Sequence, residues 1–439
     1  MKQELLSLLE SRKATIGIIG LGYVGLPLVL RFGEEGFKVI GFDVDSQKVS
    51  KLNAGESYIR HIDGGRLLSL VTAKAFEATN DFARLGEADC VIICVPTPLT
   101  EKKDPDLQYI EKTASALFKT LRKGQLISLE STTYPGTTDE ILLELFKGTG
   151  LEVGKDYFLV FSPEREDPGN AKFSTRTIPK IVGGTTADCL EVGRALYSSV
   201  IDRVVTVSST KAAELVKLLE NIYRCVNIAL VNELKILTDR MGIDIWEVIG
   251  AASTKPFGFT AFYPGPGLGG HCIPIDPFYL SWKAKEYDFS TRFIQLAGEV
   301  NSAIPHYVVE RVTSALNDKG KAVRASKILI LGVAYKKDVD DVRESPALEI
   351  MELLEDKGAT LTYSDPYIPR LHKVRKHDFS HMSSAALDED LLKKHDAVLI
   401  TTDHTGIDYQ WLVNNSALIV DTRNATREVR QGREKVVRA

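Results

Sequence analysis

Gly269-Gly270-His271-Cys272-Ile273-Pro274-Ile275-Asp276-Pro277 seats one thiol between a glycine pair and a carboxylate. Two glycines let backbone approach a ligand closely, and two prolines fix the turn that carries the side chain. A thiol held this way reads as a prepared nucleophile, although a loop cysteine by itself also describes an inert buried thiol. A second constellation adds to the chemistry. The apolar run Ile16-Gly17-Ile18-Ile19 closes in Gly20-Leu21-Gly22-Tyr23-Val24-Gly25, and Val39-Ile40-Gly41-Phe42-Asp43 follows. This reads as strand, glycine turn, helix, strand and acid. Gly20 makes the tight turn, Gly22 admits a pyrophosphate to the helix N-terminus, and Gly25 lets helix and strand pack closely. Asp43, 23 residues after Gly20, stands where a carboxylate accepts hydrogen bonds from the adenosine ribose hydroxyls and repels a 2′-phosphate. The expected cofactor is therefore NAD rather than NADP.

The elements that must position these groups alternate. Apolar strand candidates at 16–19, 39–42, 90–95, 126–130, 157–161 and 180–182 are separated by helical stretches, the rhythm of a doubly wound parallel sheet. A long helical stretch follows from about Thr210 to Met241, then more helices and the glycine-proline segment around Cys272. From Lys327 the alternation restarts at 328–332, 360–363, 397–400 and 417–420, giving a second α/β domain without a glycine fingerprint. It holds a different ligand or is a structural duplicate. The expected domains are 1–205, 206–322 and 323–439.

Composition bounds the function class. A chain of 439 residues exceeds one ordinary core. Its formal charge of -4 is spread along the sequence, which argues against a nucleic-acid surface. No apolar run reaches membrane-spanning length and the start lacks a signal-peptide core, so a cytoplasmic protein is expected. Five cysteines without paired spacing fit a reducing compartment. Cys90 and Cys94, four apart in an extended segment, lie too far apart to bridge, and with Cys189 and Cys225 read as core packing. No metal-ligand spacing stands out. The arginine- and lysine-rich end, 423–438, reads as a solvated terminal segment.

Three further groups carry two readings each. Lys217 and Asn221 lie four apart on one helical face and either stabilise an oxyanion or form a solvated face. Ser162-Pro163-Glu164-Arg165-Glu166-Asp167-Pro168, after a strand end, offers a general base or a charged turn. Ser131-Thr132-Thr133 also follows a strand and either reaches a nicotinamide or a water, or is a plain turn.

Taken in order with Tyr335-Lys336-Lys337-Asp338-Val339-Asp340-Asp341-Val342-Arg343-Glu344-Ser345, these motifs resemble those of the nucleotide-sugar 6-dehydrogenase family, which includes UDP-glucose and GDP-mannose dehydrogenases. The resemblance spans nearly all of the chain. It implies an α/β fold of two Rossmann-like doubly wound domains: an amino-terminal NAD domain, a long central helix with a helical region forming a homodimer or a higher oligomer, and a carboxy-terminal UDP-sugar domain. It also implies a surface polysaccharide precursor as product. By resemblance Cys272 is the nucleophile and Lys217 steadies the C6 oxygen with Asn221. Glu164 handles protons and water, and Thr132 and Asp276 assist. Tyr23, Val24, Lys48, Thr97, Ser131, Thr132 and Arg343 join Gly20, Gly22, Gly25 and Asp43 around NAD. Tyr263, Gly265, Gly267 and Gly269 wrap the sugar, with Glu164, Lys217, Asn221 and Lys336 touching the substrate.

Departures from the glucose-type pattern bear on that substrate. Ile275 precedes Asp276 where glucose enzymes of the family usually carry lysine, and Lys255-Pro256-Phe257-Gly258-Phe259 replaces a loop arginine. Both resemble the branch acting on UDP-N-acetylhexosamines. UDP-N-acetylglucosamine is the expected substrate, with the mannosamine epimer next and UDP-glucose behind. A different class, the single-step 3-hydroxyacid dehydrogenases, shares the first domain and the long helix but lacks a second α/β domain.

Overall fold

The computed structural model describes residues 1–439 apart from 60–61, 101–103, 166–173 and 271–272. The chain forms two compact units, one of Met1–Glu220 with Phe278–Ser290 and one of Asn221–Pro277 with Thr291–Ala439.

The first unit is built on an eight-stranded sheet among the described residues. Its strands are β1 (Thr15–Ile19), β2 (Lys38–Phe42), β3 (Phe76–Thr79), β4 (Cys90–Ile93), β5 (Leu126–Leu129), β6 (Phe158–Phe161), β7 (Lys180–Gly184) and β8 (Val204–Val207), in the order β3-β2-β1-β4-β5-β6-β7-β8. The first six follow the order of a dinucleotide-binding sheet. Burial on both faces explains why the strands read as continuous apolar runs. Ile16, Ile18, Cys90, Ile92, Phe158 and Val160 join one core. Their alternating neighbours Ile19, Val91, Ile93, Leu159 and Phe161 join the core on the other face.

The sheet departs from the expected parallel arrangement at one place: β6 and β7 pair antiparallel, through Val160–Gly184 and Phe161–Gly183. A run of buried apolar residues fits either direction, so the two strands do not encode which one they take. β3 and β8 lay outside the expected strands because they are edges. Glu77 in β3 tolerates that position by pairing with Arg84 at 2.9 Å.

The second unit carries β9 (Lys327–Leu331), β10 (Thr360–Ser364), β11 (Ala397–Ile400), β12 (Ile419–Asp421) and β13 (Val436–Arg438), all parallel, in the order β10-β9-β11-β12-β13. Ile328 and Ile330 face one core while Leu329 and Leu331 face the other. The basic end is not a solvated tail. Val436–Arg438 pairs with β12, the amide of Ala439 donates to Asp421 O at 2.9 Å, and Val429 is buried. Apolar residues interleaved with the charges supply one buried face, which the count of basic residues conceals.

Two long helices complete the frame, Thr210–Met241 and Arg292–Asp318. The division between units falls inside the first of these, between Glu220 and Asn221. Among the described residues no helix is long and apolar enough to cross a membrane.

Candidate active site

The glycine turn has the geometry its spacing promises. Gly20 sits at φ +91°, and a Cβ there would lie 2.6 Å from Cys94 O. A Cβ on Gly25 would lie 2.0 Å from Gly20 O, so helix Gly25–Glu34 meets the turn only through glycine. At Gly22 a Cβ would meet nothing within 4 Å, leaving the helix N-terminus open to a pyrophosphate. Asp43 is buried at the end of β2, its Oδ2 accepting from Leu21 N and its Oδ1 from Asp45 N, each at 3.0 Å. Each oxygen keeps a lone pair for a ribose hydroxyl. Lys48 Nζ stands 4.0 Å from Asp43 Oδ2 and over the Tyr58 ring, while the Tyr58 hydroxyl donates to Leu21 O. These groups fit NAD. Asp43→Ala is expected to weaken NAD about tenfold, as for loss of hydrogen bonds to a charged group, and to narrow the preference over NADP. Titration of both dinucleotides checks this; unchanged affinities would remove Asp43 from the ribose.

Ser131 donates to Val95 O at 2.7 Å, which ties the turn after β5 to the end of β4, and Thr132 beside it is half-buried. Thr97 O accepts from the Tyr279 hydroxyl at 2.6 Å. Tyr23 and Val24 are half-buried at the helix start. A small hollow is lined by Val24, Leu28, Glu130, Glu164 and Lys180. Glu164 Oε2 accepts from Lys217 Nζ at 3.2 Å, with side-chain exposures of 14% and 8%, so this carboxylate and ammonium are not a solvated face. A carboxylate and an ammonium beside the cofactor turn can exchange a proton with a bound alcohol and steady the oxygen that loses it.

In the second unit Asn221 Nδ2 donates to Asp276 Oδ2 at 2.5 Å, and both residues are buried. Lys217 and Asn221 stand one turn apart on helix Thr210–Met241. Cys272 lies outside the described residues. The segment before it is closely packed: Gly265 N donates to Asn232 Oδ1 at 3.1 Å, Cβ atoms on Gly267 and Gly269 would lie 3.0 Å from Pro346 Cβ and 2.8 Å from Tyr335 Cβ, and Gly270 N donates to Arg343 O at 3.2 Å. Tyr263 stacks on Trp246 with ring centroids 5.5 Å apart. Lys336 is half-buried after β9, and the Arg343 guanidinium holds Asp341 at 2.6 Å. The other thiols are unsuited to nucleophilic work. Burial pushes Cys90, Cys94 and Cys225 above the ordinary thiol range, which keeps them protonated.

Sequence reasoning missed one buried network. Lys180 Nζ donates to Glu130 Oε2 at 2.6 Å, the Tyr197 hydroxyl to Glu130 Oε1 at 2.6 Å, and Ser128 Oγ lies 2.7 Å from that hydroxyl. The available signal was a lone acid and a lone base, each at one end of an apolar strand.

Comparison with known proteins accounts for this architecture. Three family models match in succession, described as the NAD binding, central and UDP binding domains of the UDP-glucose/GDP-mannose dehydrogenase family, over residues 14–201, 211–303 and 329–428. A UDP-N-acetyl-D-mannosamine dehydrogenase of Pyrococcus horikoshii is 33% identical over 420 residues, 94% of this chain and 96% of its own. A UDP-N-acetyl-D-glucosamine 6-dehydrogenase of Pseudomonas aeruginosa is 34% identical over 355 residues, 80% of this chain and 83% of its own. A solved structure of UDP-D-ManNAc dehydrogenase from Pyrococcus horikoshii superposes with a TM-score of 0.86 at 31% identity, covering 95% of this chain and 97% of that one. With its open glycine turn, its acid at the second strand and all three family domains in order, the chain belongs to the UDP-glucose/GDP-mannose dehydrogenase family.

Proposed function

We propose that the protein oxidises the C6 alcohol of a UDP-N-acetylhexosamine, UDP-N-acetylglucosamine first, to the uronic acid in two steps. The observation that carries this reading is the buried Glu164–Lys217 ion pair, whose carboxylate lines the same small hollow as Val24 of the glycine turn. NAD supplies the hydride acceptor at each step, so two NADH accompany each acid. Glu164 takes the alcohol proton, and Lys217 holds the C6 oxygen. The Cys272 sulfur then bonds to the aldehyde carbon, giving a thiohemiacetal whose oxygen Lys217 and Asn221 stabilise. Loss of its C6 hydride and hydroxyl proton leaves a thioester. Water deprotonated through Glu164 attacks that carbon, the carbon–sulfur bond breaks, and the thiol regains a proton. Asp276, fixing the Asn221 amide, is a positioning residue. The five-stranded second sheet favours this reading over the single-step hydroxyacid dehydrogenases.

An acetamido group needs room and an apolar contact for its methyl. Ile275 in place of a lysine and the exposed Phe257 and Phe259 loop support an N-acetylated sugar. The mannosamine epimer is the second reading, favoured by the coverage of the Pyrococcus relative. Exposed apolar residues along helix Thr210–Met241, Leu215, Leu219, Tyr223, Leu230, Leu234, Leu237 and Met241, support a homodimer. A panel of UDP-sugars assayed for NADH yield and product mass tests the reaction. N-acetylated substrates are expected to exceed UDP-glucose in kcat/KM by about tenfold, roughly 1.4 kcal/mol. One NADH per sugar with free aldehyde as product would overturn the two-step reading, better turnover of UDP-glucose only the substrate; a monomeric mass by light scattering would remove the dimer.

A further inference from the structure

Helix Thr210–Met241 carries a buried acid that the reaction above does not use. Glu214 is fully buried, one turn before Lys217 and on the same helical face. Its carboxylate bonds the segment that follows β5. Oε2 accepts from Gly136 N at 2.5 Å, while Oε1 accepts from Thr138 N at 2.9 Å and from Thr138 Oγ1 at 2.7 Å. That segment depends on a glycine for its shape: Gly136 sits at φ +114°, and a Cβ there would lie 2.6 Å from Glu140 Oε1. At the other end of the turn Ser131 donates to Val95 O at 2.7 Å, so Thr132 lies between two fixed points. One side chain therefore ties the helix that bears Lys217 to the turn that bears Thr132.

A neutral side chain does not make this tie. Two amides and a hydroxyl converge on two oxygens, and only an ionised carboxylate accepts at both; a carboxamide or a protonated acid turns a donor toward one of the N–H groups. A charge hidden from water also costs stability, whereas a helix start is capped as well by an exposed Ser, Thr, Asp or Asn. The charge is therefore kept for what it holds. We propose that Glu214 is a positioning residue for the oxidation, keeping the Lys217 ammonium in register with Thr132 and effective only as the carboxylate. This rests on the two-step reading above, in which Lys217 meets the C6 oxygen. Burial pushes the Glu214 carboxyl up to about 7, against the bonds from Gly136 and Thr138 that lower it, and Asp139 adds to the rise. The other charges around it are already engaged. On the helical segment 138–146, Asp139 has Lys211 at 4.0 Å and Glu140 has Lys283 at 2.8 Å, while Lys217, on Glu214's own helix, holds Glu164.

The test is kcat against pH for wild type and Glu214→Gln, using the whole chain with NAD and the best UDP-sugar of the panel above. The glutamine has the shape and the donor of the protonated acid, so below the Glu214 transition the two proteins are equivalent. Dividing one kcat by the other cancels every ionisation they share. The ratio of wild type to variant is expected to reach about thirtyfold near about pH 8.5, with KM for NAD within about twofold, and to fall toward one below about pH 6. A role in folding alone lowers the amount of active protein and gives a ratio that does not titrate. A ratio near one throughout, or one independent of pH, overturns the inference. Failure of wild type to reduce NAD with any UDP-sugar overturns the two-step reading instead. Should Glu214→Gln not fold, Thr138→Val carries the test. It removes one donor to the carboxylate, which then ionises at higher pH, so the fall of kcat on the acid side is expected to shift to higher pH than in wild type. Superimposable profiles overturn the proposal.

Discussion

Cys272→Ser is expected to leave NAD binding intact and to reduce acid production at least about a thousandfold, roughly 4 kcal/mol of barrier. The argument is one of populations. A thiol ionises near neutral pH, whereas a serine hydroxyl supplies almost no alkoxide there and its ester would be a poorer intermediate. The four described cysteines cannot substitute, since Cys90, Cys189 and Cys225 are buried and burial raises Cys94 well above the thiol range. The first oxidation does not require the thiol, so a slow single-NADH turnover with released aldehyde is the residual activity to look for. Product mass and NADH stoichiometry read both outcomes; near-normal acid production by this variant would remove Cys272 from the mechanism.

Lys217→Met is expected to lower kcat by about a hundredfold to a thousandfold, the range for loss of one preorganised charge at a developing oxyanion. The ammonium also holds Glu164 at 3.2 Å in a site where both side chains are largely buried, so its loss removes that ion pair as well. Lys217→Arg keeps the charge while still losing rate, because a guanidinium cannot occupy the geometry of the ammonium. A kcat within threefold of wild type in Lys217→Met would show that Lys217 does not meet the reacting oxygen.

The readings that held came from local requirements. A tight turn at Gly20 needs a residue that tolerates positive φ, a helix meeting a strand at Gly25 needs no side chain, and an acid at the end of the second strand needs only the right separation. Such demands act on neighbouring residues, so they are written in spacing. The same holds for the helix Thr210–Met241, whose periodic pattern carries Lys217 and Asn221 one turn apart. The proposed role of Cys272 as nucleophile rests on sequence alone, because Cys272 lies outside the described residues.

What remained for tertiary structure involves partners far apart in the chain. Whether Lys217 faced water or a carboxylate depended on Glu164, 53 positions earlier, and the choice between a solvated tail and a strand at 436–438 depended on β12 offering an edge. Strand direction at β7 was decided in the same way, since buried apolar residues suit either orientation. Lys235, on the same helix as Lys217, is buried over the Tyr307 ring of helix Arg292–Asp318, a contact between distant positions that no local pattern of spacing records. Local sequence determines which backbone shapes a segment can take; only packing decides which charges lose water.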